Sequence, residues 1–200
     1  MTTSASTPRL RLTLLWYLLL VAATALTQPA SLPGPVQVLL DAAALLLVAT
    51  AVLGRIWCSV FIAGRKDTRL VVDGPYALCR HPLYALSLLG GAGLGLATHS
   101  ATLTVATLLL LGLLFRRAAV AEETLLAARH GAAFASYAAT TPRFWPRPDH
   151  YRLPAMIEVL PPVLWKAFVD AGAFVLLLAM VFAARALRAG GAWSPWLTLL

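Results

Sequence analysis

Charged residues are scarce in this chain of 200 residues. Only 12% of its residues are Asp, Glu, Lys or Arg, whereas a soluble domain carries about 25%. Negatively charged residues are rarer than positively charged ones, with 8 Asp and Glu against 16 Lys and Arg. The two cysteines, Cys58 and Cys79, are too few for a disulfide scaffold and lack the spacing of a metal or redox motif. These shortages argue against a soluble globule, which could not hide the remaining apolar surface at this length.

Apolar residues make up 60% of the chain, and the mean hydropathy is +0.79. They form long runs, close to the roughly 20 residues that a helix needs to cross a bilayer. We therefore predict an all-α integral membrane protein with about five transmembrane helices in one bundle. The first run resembles a secretory signal, but the spans that follow favour a retained helix. The predicted helices cover residues 10–27, 36–57, 83–98, 101–121 and 167–184.

The basic residues predict the orientation of these helices. If the N-terminus is cytoplasmic, 14 of the 16 Lys and Arg residues fall on that side, largely in segments 55–80 and 116–166. Arg185 and Arg188 then fall on the other side, together with the turn 98–100. Because positively charged loops stay inside, we expect a cytoplasmic active face. The net charge of +8 is explained in this way and does not indicate a nucleic-acid partner. The Ala-, Leu- and Arg-rich composition points to a bacterial inner membrane.

Changes in composition divide the chain into three predicted segments. Residues 1–57 form a two-helix membrane segment. Residues 58–148 form a core with a polar loop, a helical hairpin and an acidic segment. Residues 149–200 carry a further amphipathic stretch, the fifth helix and a tail with Trp193 and Trp196, which is predicted to end at the membrane interface.

The glycine-rich stretch at residues 90–95 is not a nucleotide-binding loop. The GxGxxG spacing that starts at Gly91 ends on Leu96, and no strand precedes it. Gly91 and Gly95 are four residues apart and share one face of a helix. Small residues on one face let a second membrane helix approach closely, so we predict a packing role.

A helical hairpin at residues 83–121 brings together polar groups that are distant in sequence. Its link, Thr98–Ser100, is so short that the two helices must be antiparallel. Each arm rises roughly 24–30 Å, so the start of the first arm and the end of the second lie at the same membrane face. Ionisable residues at this depth are candidates for function. The residues that converge there are Arg80, His81, Tyr84, Arg116, Arg117, Glu122 and Glu123.

Four motifs follow one another here: Gly74-Pro75-Tyr76, Arg80-His81-Pro82-Leu83-Tyr84, Glu122-Glu123, and the spaced residues Gly131, Tyr137, Pro142, Arg143 and Pro146. With them, residues 45–148 resemble the isoprenylcysteine carboxyl methyltransferase family, and the related membrane phospholipid methyltransferases share much of the pattern. The resemblance implies an integral membrane enzyme that uses S-adenosylmethionine. It also implies a cofactor pocket on the cytoplasmic side and a lateral opening for a lipid-like substrate.

The resemblance also implies roles for single residues. The catalytic roles fall on Arg117 and Glu123, although the arginine of the family aligns with Ala118, next to Arg117. Glu123 could also replace Glu122 as the acid that holds the cofactor, under a shift of one residue. No metal is expected. The implied cofactor contacts are Leu70, Val71, Tyr76, His81, Tyr84 and Glu122.

The chemistry leaves several functions open. A carboxylate acceptor needs no base, only alignment and an orienting cation such as Arg117. An amine or thiol acceptor needs a proton acceptor, for which His81 is the nearby candidate. The leading hypothesis is methyl transfer to a lipophilic or lipid-modified acceptor, with a carboxylate favoured, in contact with membrane lipid. The alternatives are a phospholipid or thiol methyltransferase, an NADPH-dependent reductase of the sterol-reductase type, and a non-enzymatic membrane protein; the oligomeric state stays open.

Overall fold

The structure, a computed structural model, describes residues 6–29, 31–62, 64, 69–191 and 197–199. Within these residues the chain forms six α-helices and two short strands, which pair in parallel. In chain order the elements are α1 (Ser6–Leu26), β1 (Thr27–Pro29), α2 (Gly34–Ile62), α3 (Pro75–Leu78), α4 (Pro82–Ala97), α5 (Ala101–Thr140), a 3₁₀ turn (Pro148–His150), α6 (Pro161–Ala189) and β2 (Leu197–Leu199).

The helices have the length and the surface of membrane spans. Among the described residues, α2, α5 and α6 are long and apolar enough to cross a bilayer, and the apolar parts of α1 and α4 are shorter. Leu39, Leu46 and Leu53, seven residues apart on α2, are each 69% exposed. Such an apolar stripe is stable against lipid, where the backbone is already satisfied within the helix. The predicted all-α integral membrane fold is confirmed.

The fourth helix is longer than the predicted 101–121, because α5 continues to Thr140. Charged residues after 121 lower the hydropathy, but Ala, Leu and Glu in this stretch are strong helix formers. The helix is kinked at Gly131, whose φ of 49° and ψ of −123° are not helical. Residues 122–140, beyond the predicted helix, are therefore helical as well. The predicted tail residues Trp193 and Trp196 lie outside the described residues.

The chain forms two compact units, and α2, α4, α5 and α6 each contribute a part to both. The predicted segments 1–57, 58–148 and 149–200 describe order along the chain and stay a prediction. The first unit takes in Met1–Ala49, Leu89–Leu114 and Ala173–Leu200, and the second unit takes in Thr50–Leu88 and Phe115–Gly172.

Close helix packing holds the first unit together. A Cβ added at Gly95 would lie 2.8 Å from the Cα of Thr104, and one at Gly93 would lie 2.8 Å from the carbonyl oxygen of Ala44. A Cβ at Gly91 would overlap Leu111. Because lipid gives helices no hydrophobic reason to associate, such close approach supplies the van der Waals contact that does. The predicted packing role of Gly91 and Gly95 is confirmed.

Candidate functional site

A tight turn positions α3 in the second unit. Gly74 has φ 60° and ψ −129°, a conformation that glycine alone adopts readily. A Cβ at this position would overlap the ring of Phe61, which is buried with Cys58 and Tyr76 in the core of this unit. The N–H of Gly74 donates to the carbonyl oxygen of Arg152 at 2.7 Å. The sequence therefore needs glycine here so that Tyr76 can enter the core.

Tyr76 is buried, but its hydroxyl group has no hydrogen-bond partner among the described residues. Burial raises the pKa of this phenol well above its ordinary value, so the hydroxyl keeps its proton. The carbonyl oxygen of Tyr76 accepts a hydrogen bond from the Tyr137 hydroxyl at 2.6 Å. A buried donor without a partner is costly. It is a position where a polar group of a bound molecule would be stabilised.

Two backbone hydrogen bonds join the loop before α4 to the segment after α5. The N–H of Arg80 donates to the carbonyl oxygen of Pro142 at 2.8 Å, and that of His81 donates to Arg143 at 3.1 Å. The kink at Gly131 interrupts α5 before this segment. Residues some sixty positions apart in sequence are thereby fixed side by side.

His81 has two structural roles at the start of α4. Its carbonyl oxygen accepts hydrogen bonds from the N–H groups of Tyr84 and Ala85, both at 3.1 Å. Pro82 follows as the first helical residue, where its missing N–H costs nothing. The imidazole ring stacks on Tyr84 with centroids 5.4 Å apart, and Tyr84 stacks on Phe115 at 5.5 Å. This aromatic column fixes the orientation of both polar side chains.

Glu123 is the centre of an ion-pair network. Its Oε1 and Oε2 accept hydrogen bonds from Nε and Nη2 of Arg143 at 3.0 and 2.6 Å. Nε of Arg80 lies 3.3 Å from Oε1, and Nε2 of His81 lies 3.1 Å from the same oxygen. The side chain is only 12% exposed. Both carboxylate oxygens are therefore engaged, and Glu123 acts as an anchor for two arginines and the histidine. We refer to Arg80, His81, Glu122, Glu123 and Arg143 as the Glu123 cluster.

Only one of the two carboxylate oxygens of Glu122 has a partner among the described residues. Its Oε2 accepts a hydrogen bond from the Tyr84 hydroxyl at 2.9 Å and lies 3.7 Å from Nδ1 of His81. Its Oε1 has no partner among the described residues, and the side chain is 31% exposed. Glu122 is thus the carboxylate of the cluster that remains available to a ligand.

The protonation state of His81 defines what such a ligand must be. Burial lowers the pKa of His81 below its ordinary value, against the raising effect of Glu122 and Glu123, so the ring is neutral at pH 7. Because the carboxylate of Glu123 has no proton to give, Nε2 carries the hydrogen. Nδ1 is then an acceptor that faces a second acceptor, Oε2 of Glu122, at 3.7 Å. Two facing acceptors are stabilised by a cationic donor.

A cavity of about 610 Å³ lies in the same unit. This volume is within the range of roughly 300–1,000 Å³ of small-molecule sites. Leu70 lines it, whereas Val71 packs against the buried core of Cys58, Phe61 and Tyr76. The lining residues are Leu70, Val72, Asp73, Ala77, Ala133, Ser136, Tyr137, Thr140, Thr141, His150 and Arg152.

The structure brings His81, Tyr84, Glu122 and Glu123 together. It leaves Arg117 exposed, with no hydrogen bond or ion pair to any described residue. The arginines that bind the acids are instead Arg80 and Arg143, and Arg143 was not among the predicted site residues. Its signal in the sequence was its place in the last of the four motifs, between Pro142 and Pro146.

Within the described ranges, no group of three or more His, Cys, Asp or Glu side chains is arranged to hold a metal ion.

Comparison with known proteins adds a family and two relatives. Residues 35–128 match the family described as isoprenylcysteine carboxyl methyltransferase. The chain is 45% identical over 105 residues to the cobalt-zinc-cadmium resistance protein CzcN of Cupriavidus metallidurans, a match that covers 52% of this chain and 48% of that protein. It is 43% identical over 105 residues to the nickel-cobalt-cadmium resistance protein NccN of Alcaligenes xylosoxydans xylosoxydans, covering 52% and 49%. The chain thus spans about half the length of these curated relatives. No solved structure matches it.

Proposed function

Because residues 35–128 match the isoprenylcysteine carboxyl methyltransferase family, we propose that the chain is a membrane methyltransferase that uses S-adenosylmethionine and acts on a lipophilic acceptor. The observation that carries the cofactor assignment is the pair of facing acceptors, Nδ1 of His81 and Oε2 of Glu122, 3.7 Å apart. A cofactor with an ammonium group suits this pair. Nicotinamide cofactors have no such group.

The residues of the second unit fit this cofactor in three respects. Glu122 would hold the ammonium group, with the Tyr84 hydroxyl orienting the carboxylate. The buried hydroxyl of Tyr76 would serve a second polar group. The cavity of about 610 Å³ in the same unit is lined by Leu70 and by no residue of the Glu123 cluster, and its volume is in the range of small-molecule sites. Glu123 would not touch the cofactor, since both of its oxygens are engaged by arginines and His81.

When bound, S-adenosylmethionine supplies a methyl group on a positively charged sulfur. The contribution of the chain is alignment, which can lower a barrier by up to about 7–11 kcal/mol in ideal cases. The aromatic column of His81, Tyr84 and Phe115 keeps the binding side chains in one orientation. The ion pairs of Glu123 hold the loop before α4 in place.

The acceptor determines which further residue takes part. A carboxylate needs an orienting cation, and Arg117 is exposed with no partner among the described residues, so we propose it for that role. An amine or thiol must lose a proton, and Nδ1 of neutral His81 would take it only where Glu122 alone holds the ammonium group of the cofactor. Val120 and Leu125, on either side of the two acids on α5, are 46% and 70% exposed. These apolar side chains support an acceptor that arrives from the bilayer, where each buried CH₂ is worth about 0.8 kcal/mol.

We place the enzyme in a bacterial inner membrane with the Glu123 cluster at the cytoplasmic face. The support is the distribution of Lys and Arg, of which 14 of 16 fall on one side. Labelling of a His99→Cys variant in Cys58→Ala, Cys79→Ala background tests this topology. If the introduced thiol reacts only with a reagent added from the cytoplasmic side, the predicted orientation is wrong.

Ligand-dependent thermal stabilisation of the purified protein in detergent tests the cofactor. We expect stabilisation by S-adenosylmethionine and none by NADPH. Glu122→Gln should weaken binding by about tenfold or more, equivalent to 1.4 kcal/mol. Asp170→Asn removes an exposed carboxylate paired with Lys166 on α6 and is the matched control. Stabilisation by NADPH would favour the reductase alternative, and stabilisation by neither would favour a non-enzymatic membrane protein.

The names of the two relatives connect this chain with metal tolerance. We propose that any such role runs through methyl transfer, since the described residues hold no cluster of metal ligands. Growth of cells that depend on this chain, in rising zinc, cobalt or cadmium, tests the link. Cells with Glu122→Gln should then be as sensitive to these metals as cells that lack the protein. Full tolerance of cells with this variant would show that tolerance does not depend on methyl transfer.

A further inference from the structure

A second polar site lies in the first unit and has no part in the proposed methyl transfer. It is a groove of about 950 Å³ beside the first turns of α2 and the last turns of α6. We call it the Arg188 groove. The polar side chains that line it are Gln28, Ser31, Asp41, His99, Arg185 and Arg188, to which Gln37 adds an amide.

The acid of this groove is already neutralised. Nη1 and Nη2 of Arg185 donate to Oδ1 and Oδ2 of Asp41 at 2.5 and 3.2 Å. Nε2 of His99 donates to Oδ1 at 2.8 Å. His99 has a φ of 59°, an uncommon value for a residue with a side chain, and its bond to Asp41 holds it there. We refer to Asp41, His99, Arg185 and Arg188 as the Asp41 cluster.

Arg188 carries the positive charge that remains. Its Nη1 donates to the carbonyl oxygens of Thr24 and Thr27, and no carboxylate among the described residues pairs with it. Its Nε and Nη2 groups donate to no described residue, and neither does Nε of Arg185. The groove therefore presents guanidinium donors that no described residue binds and, among its described side chains, one positive charge in excess. Arginine in this state is suited to a phosphate, whose oxygens it can bind in pairs.

The apolar wall of the groove indicates where such a phosphate comes from. Val38, Ala42 and Leu45 follow one another along one face of α2 and line the groove, and Phe182 lines it from α6. Val38 and Leu45 are 68% and 58% exposed. An apolar strip that continues from a cationic site suits an acyl chain attached to an anionic headgroup. A free phosphate would make no use of it.

We propose that the Arg188 groove binds a phosphate oxyanion, held by Arg188 and Arg185, and that its source is the headgroup of an anionic membrane lipid. The competing explanation is that Arg188 only ties the carbonyl groups of α1 and the following strand to the end of α6. In that case the unused donors are solvated and no lipid is preferred.

Lipid binding to the purified full-length protein in detergent separates these explanations. Phosphatidylglycerol and phosphatidylcholine are added in rising amounts, and retained lipid is counted by native mass spectrometry. Both carry a phosphodiester, but the choline cation offsets the phosphate charge. We expect phosphatidylglycerol to bind at least about tenfold more tightly, the effect of charge-assisted hydrogen bonds to an arginine. Equal retention of the two lipids would overturn the proposal.

Two variants assign the effect to the groove. Arg188→Gln should lose the preference for phosphatidylglycerol, and Arg129→Gln, which removes an exposed arginine of α5 outside the groove, should keep it. Because Arg188→Gln also removes bonds to two carbonyl groups, Arg188→Lys serves as a second variant that keeps the charge and should keep part of the preference. An unchanged preference in Arg188→Gln contradicts the site.

Inorganic phosphate, added to the wild-type protein loaded with phosphatidylglycerol, distinguishes the sources of the oxyanion. Retention of the lipid at millimolar phosphate supports a lipid site. Displacement by phosphate alone would overturn the lipid as the source.

Discussion

The Glu123 cluster and the Asp41 cluster share one plan and differ in the residue that is left over. In both, a histidine and an arginine bind a single carboxylate, which is then satisfied. The Glu123 cluster has an additional acid, Glu122, with an oxygen that no described residue binds. The Asp41 cluster has an additional basic residue, Arg188, with N–H groups that no described residue binds. We call the carboxylate and the histidine and arginine that bind it the scaffold of each cluster, with Glu123 and Asp41 as the scaffold acids. The additional residue, Glu122 or Arg188, then decides whether the ligand is a cation or an anion.

Removal of the scaffold acid in the second unit should have the largest effect. Glu123→Gln leaves Arg80 and Arg143 without their charge partner in a site where the acid was only 12% exposed. Breaking a buried ion pair on one side costs about 3–5 kcal/mol, and we expect about 3 because Arg143 is 39% exposed. The measurement is the thermal unfolding of the protein in detergent.

The neighbouring acid provides the control for this prediction. Glu122→Gln should change stability by no more than about 0.5 kcal/mol, as expected for a partly exposed residue outside the scaffold. Equal destabilisation by Glu123→Gln and Glu122→Gln would contradict the distinction between a structural acid, Glu123, and a ligand-binding acid, Glu122.

The corresponding acid in the first unit should have a smaller effect. Asp41→Asn leaves Arg185 unpaired and weakens the bond that holds His99. Asp41 is 36% exposed, so water replaces part of the lost interaction, and we expect about 2 kcal/mol. Thermal unfolding of the variant measures the loss. A combined Asp41→Asn and Arg185→Gln variant should be less unstable than the sum of the two single variants, and strict additivity would argue against the pair.

The sequence predicted the Glu123 cluster far better than the Asp41 cluster, for a physical reason. The apolar runs and the short turn between them predict the hairpin. Because its two helices are antiparallel, the hairpin brings His81 close to Glu122 and Glu123. Asp41 instead stands alone in an apolar run, and its partner Arg185 is 144 positions away. No local pattern links two such residues, because their contact depends on how whole helices pack.

Two further features could not be predicted from local pattern. The extension of α5 beyond residue 121 was hidden because charge lowers hydropathy without ending a helix. Arg143 was missed as a site residue since it follows the kink at Gly131, whose backbone angles the sequence does not specify. Its contact with Glu123, 20 positions earlier, depends on that kink.

A smaller effect should follow from the loss of one hydroxyl group beside the ligand acid. Tyr84→Phe keeps the ring stack on Phe115 but removes the hydrogen bond to Glu122. One such bond contributes about 1 kcal/mol, so we expect the affinity for S-adenosylmethionine to fall about fivefold. Titration calorimetry measures the change. Tyr151→Phe, an exposed ring outside the cluster, should leave the affinity as it is, and an unaffected Tyr84→Phe would remove Glu122 as the cofactor acid.

The smallest expected effect is that of pH on ligand binding, and its sign is opposite in the two clusters. Burial lowers the pKa of His81 against the raising effect of Glu122 and Glu123, and Arg80 lowers it further. Burial and Arg185 lower the pKa of His99 against the raising effect of Asp41. Both rings are therefore neutral above the ordinary histidine pKa of about 6.5 and gain a proton only as the pH falls through their lowered values.

Protonation then acts on the two ligands in opposite directions. A proton on Nδ1 of His81 removes the acceptor that faces Glu122 and adds a positive charge, so binding of cationic S-adenosylmethionine should weaken from pH 7.5 to 5.5. A proton on His99 adds positive charge to the Arg188 groove, so retention of phosphatidylglycerol should strengthen over the same range. Binding isotherms at both pH values measure the two trends. His81→Gln should flatten the first alone and His99→Gln the second alone, and trends of the same sign would contradict the assignment of one cluster to a cation and the other to an anion.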